Sequence, residues 1–152
     1  DLSKYSPTEF LAGVRYYQGD RSPNTAEREA NGYSLAWMHH KGRNRHHFEY
    51  WTDLSPKTRT YEPVDMPVRY LCEMVADRIA ACKTYQGAAY TDASPLQYLD
   101  RANESRLVHP QTMKRLRFLL VMLAEHGEEE TFRFMREVVL KGKSFAEESL
   151  AP

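Results

Sequence analysis

Apolar residues recur every three or four positions along most of this chain, and that spacing is the period of an α-helix. The clearest segment is 66–85, where the apolar positions form one helical stripe: Val68, Leu71, Cys72, Val75, Ile79 and Cys82. The alternating pattern of a half-buried β-strand does not extend over any useful length. We therefore expect an all-α fold.

Capping residues indicate where several of these helices begin. Ser6-Pro7-Thr8-Glu9 and Ser94-Pro95-Leu96-Gln97 have the form of capping boxes, in which the Ser hydroxyl and the Glu or Gln side chain satisfy the first N–H groups of a helix. The second box is expected to open a helix that reaches about residue 106. The first helix has an apolar stripe that we expect to face the core: Phe10, Leu11, Val14 and Tyr17.

Turn residues divide the rest of the chain, so that about six to seven helices are expected in all. Gly127 has the position of a C-cap that ends a helix. The other expected helices cover residues 25–41, 66–85, 110–126 and 128–141, and the expected loops cover residues 52–64 and 86–93.

Length and charge limit the class of protein. A chain of 152 residues is the size of one domain, and we expect residues 1–152 to form a single helical domain. No apolar stretch is long enough for a membrane span. Basic and acidic residues both number 21, and this balance argues against a nucleic-acid partner, which would favour a basic excess.

The two cysteines bear on whether the protein works in a reducing or an oxidising cellular compartment. Cys72 and Cys82 lie ten positions apart on one predicted helix, a rise of about 15 Å, which is too far for a disulfide. Free thiols and the lack of a visible signal peptide favour a reducing environment, so we expect a cytoplasmic protein.

Four of the six histidines lie within nine positions, as the pairs His39-His40 and His46-His47. Imidazole is the commonest side-chain ligand for transition metals. Successive side chains on a helix diverge by about 100°, so we expect one metal ligand from each pair. The alternative is a histidine cluster packed by the neighbouring aromatic residues: Trp37, Phe48, Tyr50 and Trp51. The H-E-x-x-H pattern of zinc proteases is absent, and no cysteine lies nearby for a structural zinc finger.

A hydrolytic metal centre also needs a carboxylate, and two aspartates are candidates. Asp77 lies on the apolar helix 66–85, where a buried carboxylate would need a cation. It also fits an ordinary charge ladder with Arg69 and Glu73, spaced four positions apart. Asp1 is a candidate because of the residues that follow it.

Asp1-Leu2-Ser3-Lys4 resembles the Asp-hydrophobic-small-Lys part of the motif that names the HD superfamily of metal-dependent phosphohydrolases. The order Asp, His, His-His, Asp along an all-α chain is also that superfamily's order, and residues 74–81 are similar to its last metal-binding helix. A closer resemblance is to an uncharacterised bacterial family of small HD-like proteins, sometimes labelled catalases. It covers most of the chain, and the segments 36–40 and 44–51 resemble that family's central signature. No haem-binding pattern supports the catalase label.

The resemblance implies an HD-like helical bundle that holds one or two divalent metals, namely Mn, Fe, Zn or Mg. It implies Asp1, His40, His47 and Asp77 as ligands, with His46 interchangeable with His47 as a ligand. His46 would otherwise orient substrate or move a proton. It further implies that the first histidine helix, and a His directly before Asp1, lie upstream of residue 1.

The expected reaction is hydrolysis of a small phosphate ester or nucleotide by metal-activated water. Lys4, Arg43 and Arg45 would neutralise phosphate charge. Two alternatives stay open: a non-catalytic binding or regulatory module of the same fold, and an iron protein that uses oxygen. A homo-oligomer is compatible with all three.

Overall fold

The fold is described from a computed structural model, which describes residues 5–17, 19, 21–102 and 106–143. The chain forms two compact units, Asp1–Tyr50 and Trp51–Pro152. Six α-helices and one two-stranded hairpin make up the regular structure of the described residues, which confirms the all-α prediction. None of the described helices has both the length and the apolar character needed to cross a membrane.

The first unit contains three helices: α1 (Pro7–Tyr16), α2 (Pro23–Asn31) and α3 (Leu35–Arg43). A short 3-10 helix, Phe48–Tyr50, follows them. The prediction of one helix over residues 25–41 is wrong. Gly32 takes the left-handed conformation (φ 81°) and ends α2, because glycine carries no Cβ that would clash there. The chain then turns, and Ser34 begins α3.

The prediction that the apolar stripe of α1 faces the core is also wrong. Phe10, Leu11, Val14 and Tyr17 are all more than half exposed. The helix contacts α2 and α3 instead through a face that includes Ala12, the buried residue of α1, and the Glu9 side chain, which is only 8% exposed. A polar residue takes this inner position because its partners lie on α3, as described below.

The second unit begins with an antiparallel hairpin, β1 (Thr52–Leu54) paired with β2 (Tyr61–Pro63). The sequence predicted a loop here. Each strand has only three residues, and all but Pro63 are exposed, so no alternation of apolar and polar residues marks them.

Three helices follow the hairpin: α4 (Val68–Gln86), α5 (Ser94–Arg101) and α6 (Pro110–Phe134). The predicted helix over 66–85 is confirmed by α4. A short 3-10 helix, Gly87–Ala89, follows α4, and a π-helical turn, Met135–Val139, follows α6. The helices pack α4 against α5 and α6, and the fully buried leucines and valine of this core are Leu71, Val75, Leu116, Leu119, Leu120 and Leu123.

The second predicted capping box does not form. Ala93 is the N-cap of α5, and Ser94 is already helical, with its hydroxyl accepting from the Thr91 N–H (3.0 Å). The helix ends at Arg101 and not near residue 106. Gly127 does interrupt the last long helix as predicted, since its backbone is non-helical there (φ 79°, ψ 175°) and kinks α6.

We predict that replacing Gly127 with Ala lowers the unfolding free energy by about 1–3 kcal/mol, since this backbone conformation is nearly exclusive to glycine. The added Cβ would also lie 3.3 Å from the Asp92 Oδ2 atom. Gly13→Ala is the matched control, because Gly13 lies within α1 with open space around it and should gain up to about 1 kcal/mol. Urea unfolding followed by circular dichroism measures both, and equal effects would contradict the prediction.

Cys72 and Cys82 are both free and buried. Burial raises the pKa of the Cys72 thiol to about 11 and also raises the pKa of Cys82. We predict that iodoacetamide at pH 8 labels neither thiol in the folded protein, because the reactive thiolate is both scarce and shielded. Both should react quickly in urea. Rapid labelling of the folded chain, measured by intact mass, would contradict this prediction.

Candidate metal centre

A buried carboxylate fixes the start of α3, the helix that carries the first histidine pair. Ser34 is its N-cap, and the Ser34 hydroxyl accepts from the Trp37 N–H (3.0 Å). The same hydroxyl donates to Glu27 Oε2 (2.6 Å), and the Ala36 N–H also donates to that oxygen (3.2 Å). Glu27 lies on α2, so its negative charge is held at the positive end of α3.

The end of α3 is capped by Asn44, which returns the chain towards the helix. The backbone N–H of Asn44 donates to the His40 carbonyl (3.1 Å), and its side-chain amide donates to the same oxygen (2.8 Å). The His47 N–H then donates to the Asn44 carbonyl (3.1 Å). This compact turn places the second histidine pair beside the first.

Three histidines converge at this point. His40, His46 and His47 each offer one ring nitrogen, and these nitrogens lie within 4.8 Å of one another. The ring centroids are 4.4 Å apart for His46 and His47, 4.7 Å for His40 and His47, and 5.9 Å for His40 and His46. His40 and His46 are buried, and His47 is half-buried.

The donor set fits a transition metal. Zinc binds imidazole nitrogen at about 2.0–2.1 Å in a tetrahedral arrangement, which corresponds to about 3.3 Å between ligand nitrogens. That spacing is shorter than the 4.8 Å within which the three ring nitrogens lie here. Imidazole suits Zn, Fe, Cu and Ni, whereas Mg prefers oxygen ligands.

Trp37 covers one side of the cluster. Its indole is stacked against the His40 ring (centroids 5.8 Å apart, planes 26° apart) and meets the His47 ring edge-on (5.0 Å, 81°). The aromatic packing that was the alternative interpretation of the sequence is therefore present, and it includes two of the three histidines that could bind a metal.

Glu9 is a side chain beside the histidines that sequence analysis did not place there. Its Oε1 lies 2.9 Å from Nδ1 of His39, and its Oε2 lies 2.9 Å from Nδ1 of His40. The sequence assigned Glu9 to a capping box, and its N–H does donate to the Ser6 hydroxyl (3.5 Å). The carboxylate, however, faces α3. Sequence spacing cannot distinguish a Glu that caps its own helix from one that contacts another helix, because acidic residues are common in the first turn of any helix.

The structure brings some of the predicted site residues together. His40 and His47, predicted as ligands, belong to the cluster, and so does His46, to which we assigned either a ligand or a substrate-orienting role. Asp1 and Lys4 lie outside the described residues. Asp77 lies on α4 in the second unit and is half-buried.

The predicted phosphate-binding arginines lie beside the histidines in the chain. Arg43 is the last residue of α3, and Arg45 lies one residue beyond the C-cap; both are exposed. The Arg45 guanidinium lies 6.0 Å from the centroid of the Tyr50 ring. The last turn of α3 is basic, which is the favourable charge at that end of a helix.

The helical fold and the converging imidazoles together describe an all-α protein with a candidate metal centre. Residues 1–122 match the model of a family of unknown function (DUF5662), so the chain belongs to that family. The matched region includes all of the first unit and therefore the whole histidine cluster. No curated protein and no solved structure matches the chain.

We predict that Ser34→Ala lowers the unfolding free energy by about 1–2 kcal/mol, because it removes the cap of α3 and a hydrogen bond to the buried Glu27 carboxylate. Ser22→Ala is the matched control. Ser22 is the N-cap of α2 but makes no side-chain capping bond, so its loss should change stability by less than about 0.5 kcal/mol. Denaturant unfolding followed by tryptophan fluorescence tests this, and equal losses would contradict it.

Proposed function

We propose that this protein is a metal-dependent hydrolase that acts on a small phosphate ester or nucleotide. The observation that carries the proposal is the convergence of His40, His46 and His47, whose ring nitrogens lie within 4.8 Å of one another. Catalytic zinc sites use three protein ligands and keep one position for water, whereas structural sites use four. Three imidazoles are one of the ligand sets found in catalytic sites.

The three imidazoles support a transition metal, with zinc or iron as the first choices and magnesium disfavoured. Such a metal supplies Lewis acidity, which polarises a phosphoryl oxygen and makes bound water acidic. His40, His46 and His47 would hold it. Asp1 and Asp77 as further ligands, and Lys4 as a phosphate contact, stay predictions based on the resemblance to HD proteins.

Residues beside the histidines could supply two further features of such a site, a cover against water and positive charge for an anionic substrate. Trp37 packs against His40 and His47 and excludes water from that side of the rings. Arg43 and Arg45 are exposed at the end of α3, where each can meet a phosphate oxygen in solvent. Their charges support an anionic substrate, and the choice of a phosphate ester rests on the HD resemblance.

We predict that the purified protein binds about one equivalent of zinc or iron per chain, and that metal raises its melting temperature. His46→Ala should lower metal affinity and the hydrolysis of a panel of phosphate esters and nucleotides by at least about 100-fold, because a ligand is lost. His126→Ala is the control, since His126 lies exposed on α6 in the second unit.

Each rival function has its own outcome in these measurements. Less than a tenth of an equivalent of metal, with no shift in melting temperature on adding metal, contradicts the metal centre. Metal binding without turnover of any ester supports a binding or regulatory module. Turnover that requires oxygen supports iron-based oxygen chemistry and contradicts hydrolysis.

A further inference from the structure

We propose that Glu9 is a positioning residue of this centre, which sets the proton of His40 on Nδ1 so that Nε2 faces the metal. The inference rests on the proposed function, because it concerns the same cluster. It assigns a role to a residue on α1 that neither the sequence motif nor the histidine spacing indicates.

The Glu9 carboxylate contacts two neighbouring imidazoles at once. Its two carboxylate oxygens each lie 2.9 Å from an Nδ1 atom, one on His39 and the other on His40. Adjacent side chains on a helix point about 100° apart. One carboxylate therefore reaches both imidazoles only if it lies between the directions in which the two side chains point. The packing of α1 against α3 provides that position.

The hydrogen-bonding chemistry of a carboxylate then determines where the protons lie. An ionised carboxylate only accepts hydrogen bonds, so each Nδ1 that faces Glu9 must carry a hydrogen. In a neutral imidazole the lone pair is then on Nε2, and a metal binds the nitrogen that has the lone pair. His40 belongs to the group of converging histidines. With the hydrogen on Nδ1, the nitrogen left for a metal is Nε2, and Glu9 would prepare His40 for binding through that atom.

Asn44 competes with Glu9 in deciding which ring nitrogen of His40 carries the hydrogen. Its side-chain nitrogen lies 3.2 Å from Nδ1 of His40, and an amide NH₂ only donates. Asn44 alone would therefore favour a lone pair on Nδ1 and a hydrogen on Nε2, which is the form that cannot bind metal through Nε2. Glu9 is closer and charged, and the Asn44 amide has its shorter bond, 2.8 Å, to the His40 carbonyl.

A carboxylate on the far nitrogen of a metal-binding histidine is a common arrangement, and it also makes the imidazole a better donor. The side chain of Glu9 is 8% exposed, and its negative charge would be held close to a bound dication. The same contacts could serve only to hold α1 on α3, so the test has to separate orientation of His40 from stability.

The test measures Co²⁺ affinity from its visible absorption spectrum, with the full-length chain. We expect Glu9→Gln to raise the Co²⁺ dissociation constant by about 10–100-fold. His39→Ala removes the contact between Glu9 and His39 but keeps the Glu9–His40 bond, so it should change the constant by less than about 3-fold. Glu29→Gln, an exposed residue on α2, controls for the lost charge and should have no effect.

The outcomes keep the two proposals distinct. If the unmodified protein binds no Co²⁺, the metal centre itself is wrong. If it binds Co²⁺ and Glu9→Gln binds equally well, the role of Glu9 is wrong and the metal centre stands. If His39→Ala weakens binding as much as Glu9→Gln, Glu9 acts only by holding the helices together.

A second measurement does not depend on any variant being folded. Nitrogen-15 NMR of the metal-free protein distinguishes a protonated from an unprotonated ring nitrogen in each histidine. We expect the hydrogen of His40 on Nδ1. A hydrogen mainly on Nε2 of His40 would overturn the inference.

Discussion

The first unit depends on carboxylates that are withdrawn from water, because such a group is stable only where donors surround it. Glu27 on α2 receives the Ser34 hydroxyl and the Ala36 N–H at the start of α3. Glu9 on α1 faces His39 and His40 near the end of the same helix. The two neighbouring helices thus hold α3 through polar contacts, and the direction of its histidines follows from both.

This dependence explains which parts of the fold were predictable. In α4 the stripe of apolar residues is the buried face, so periodicity alone locates the helix. In α1 the same method selects Phe10 and Val14, which are exposed, because the inner face carries Ala12 and Glu9. Periodicity assumes that apolar residues face inward, and it fails for a helix whose inner side chain is held by hydrogen bonds to two histidines.

The site was predictable to a similar, partial extent. The two histidine pairs are close in sequence, and a single capped turn at Asn44 is enough to bring them together. The expectation of one ligand from each pair assumed that the members of each pair are neighbours on a helix. Since His46 and His47 follow the turn and lie outside α3, the rule for neighbouring helical side chains does not limit them. Glu9 was beyond prediction, because its contacts with His39 and His40 exist only once α1 packs on α3.

Aromatic packing and metal binding, which the sequence presented as alternatives, are compatible in this cluster. Trp37 stacks on His40, which accounts for the burial of one ring face. Stacking involves the face of the ring and not the in-plane ring nitrogens, so it does not explain a carboxylate aligned with two Nδ1 atoms. In the role that we propose for Glu9, the carboxylate orients the nitrogen edge of His40 and leaves the lone pair on the opposite nitrogen of that ring. The same hydrogen bonds also hold α1 on α3, so helix packing and metal binding both benefit from this orientation.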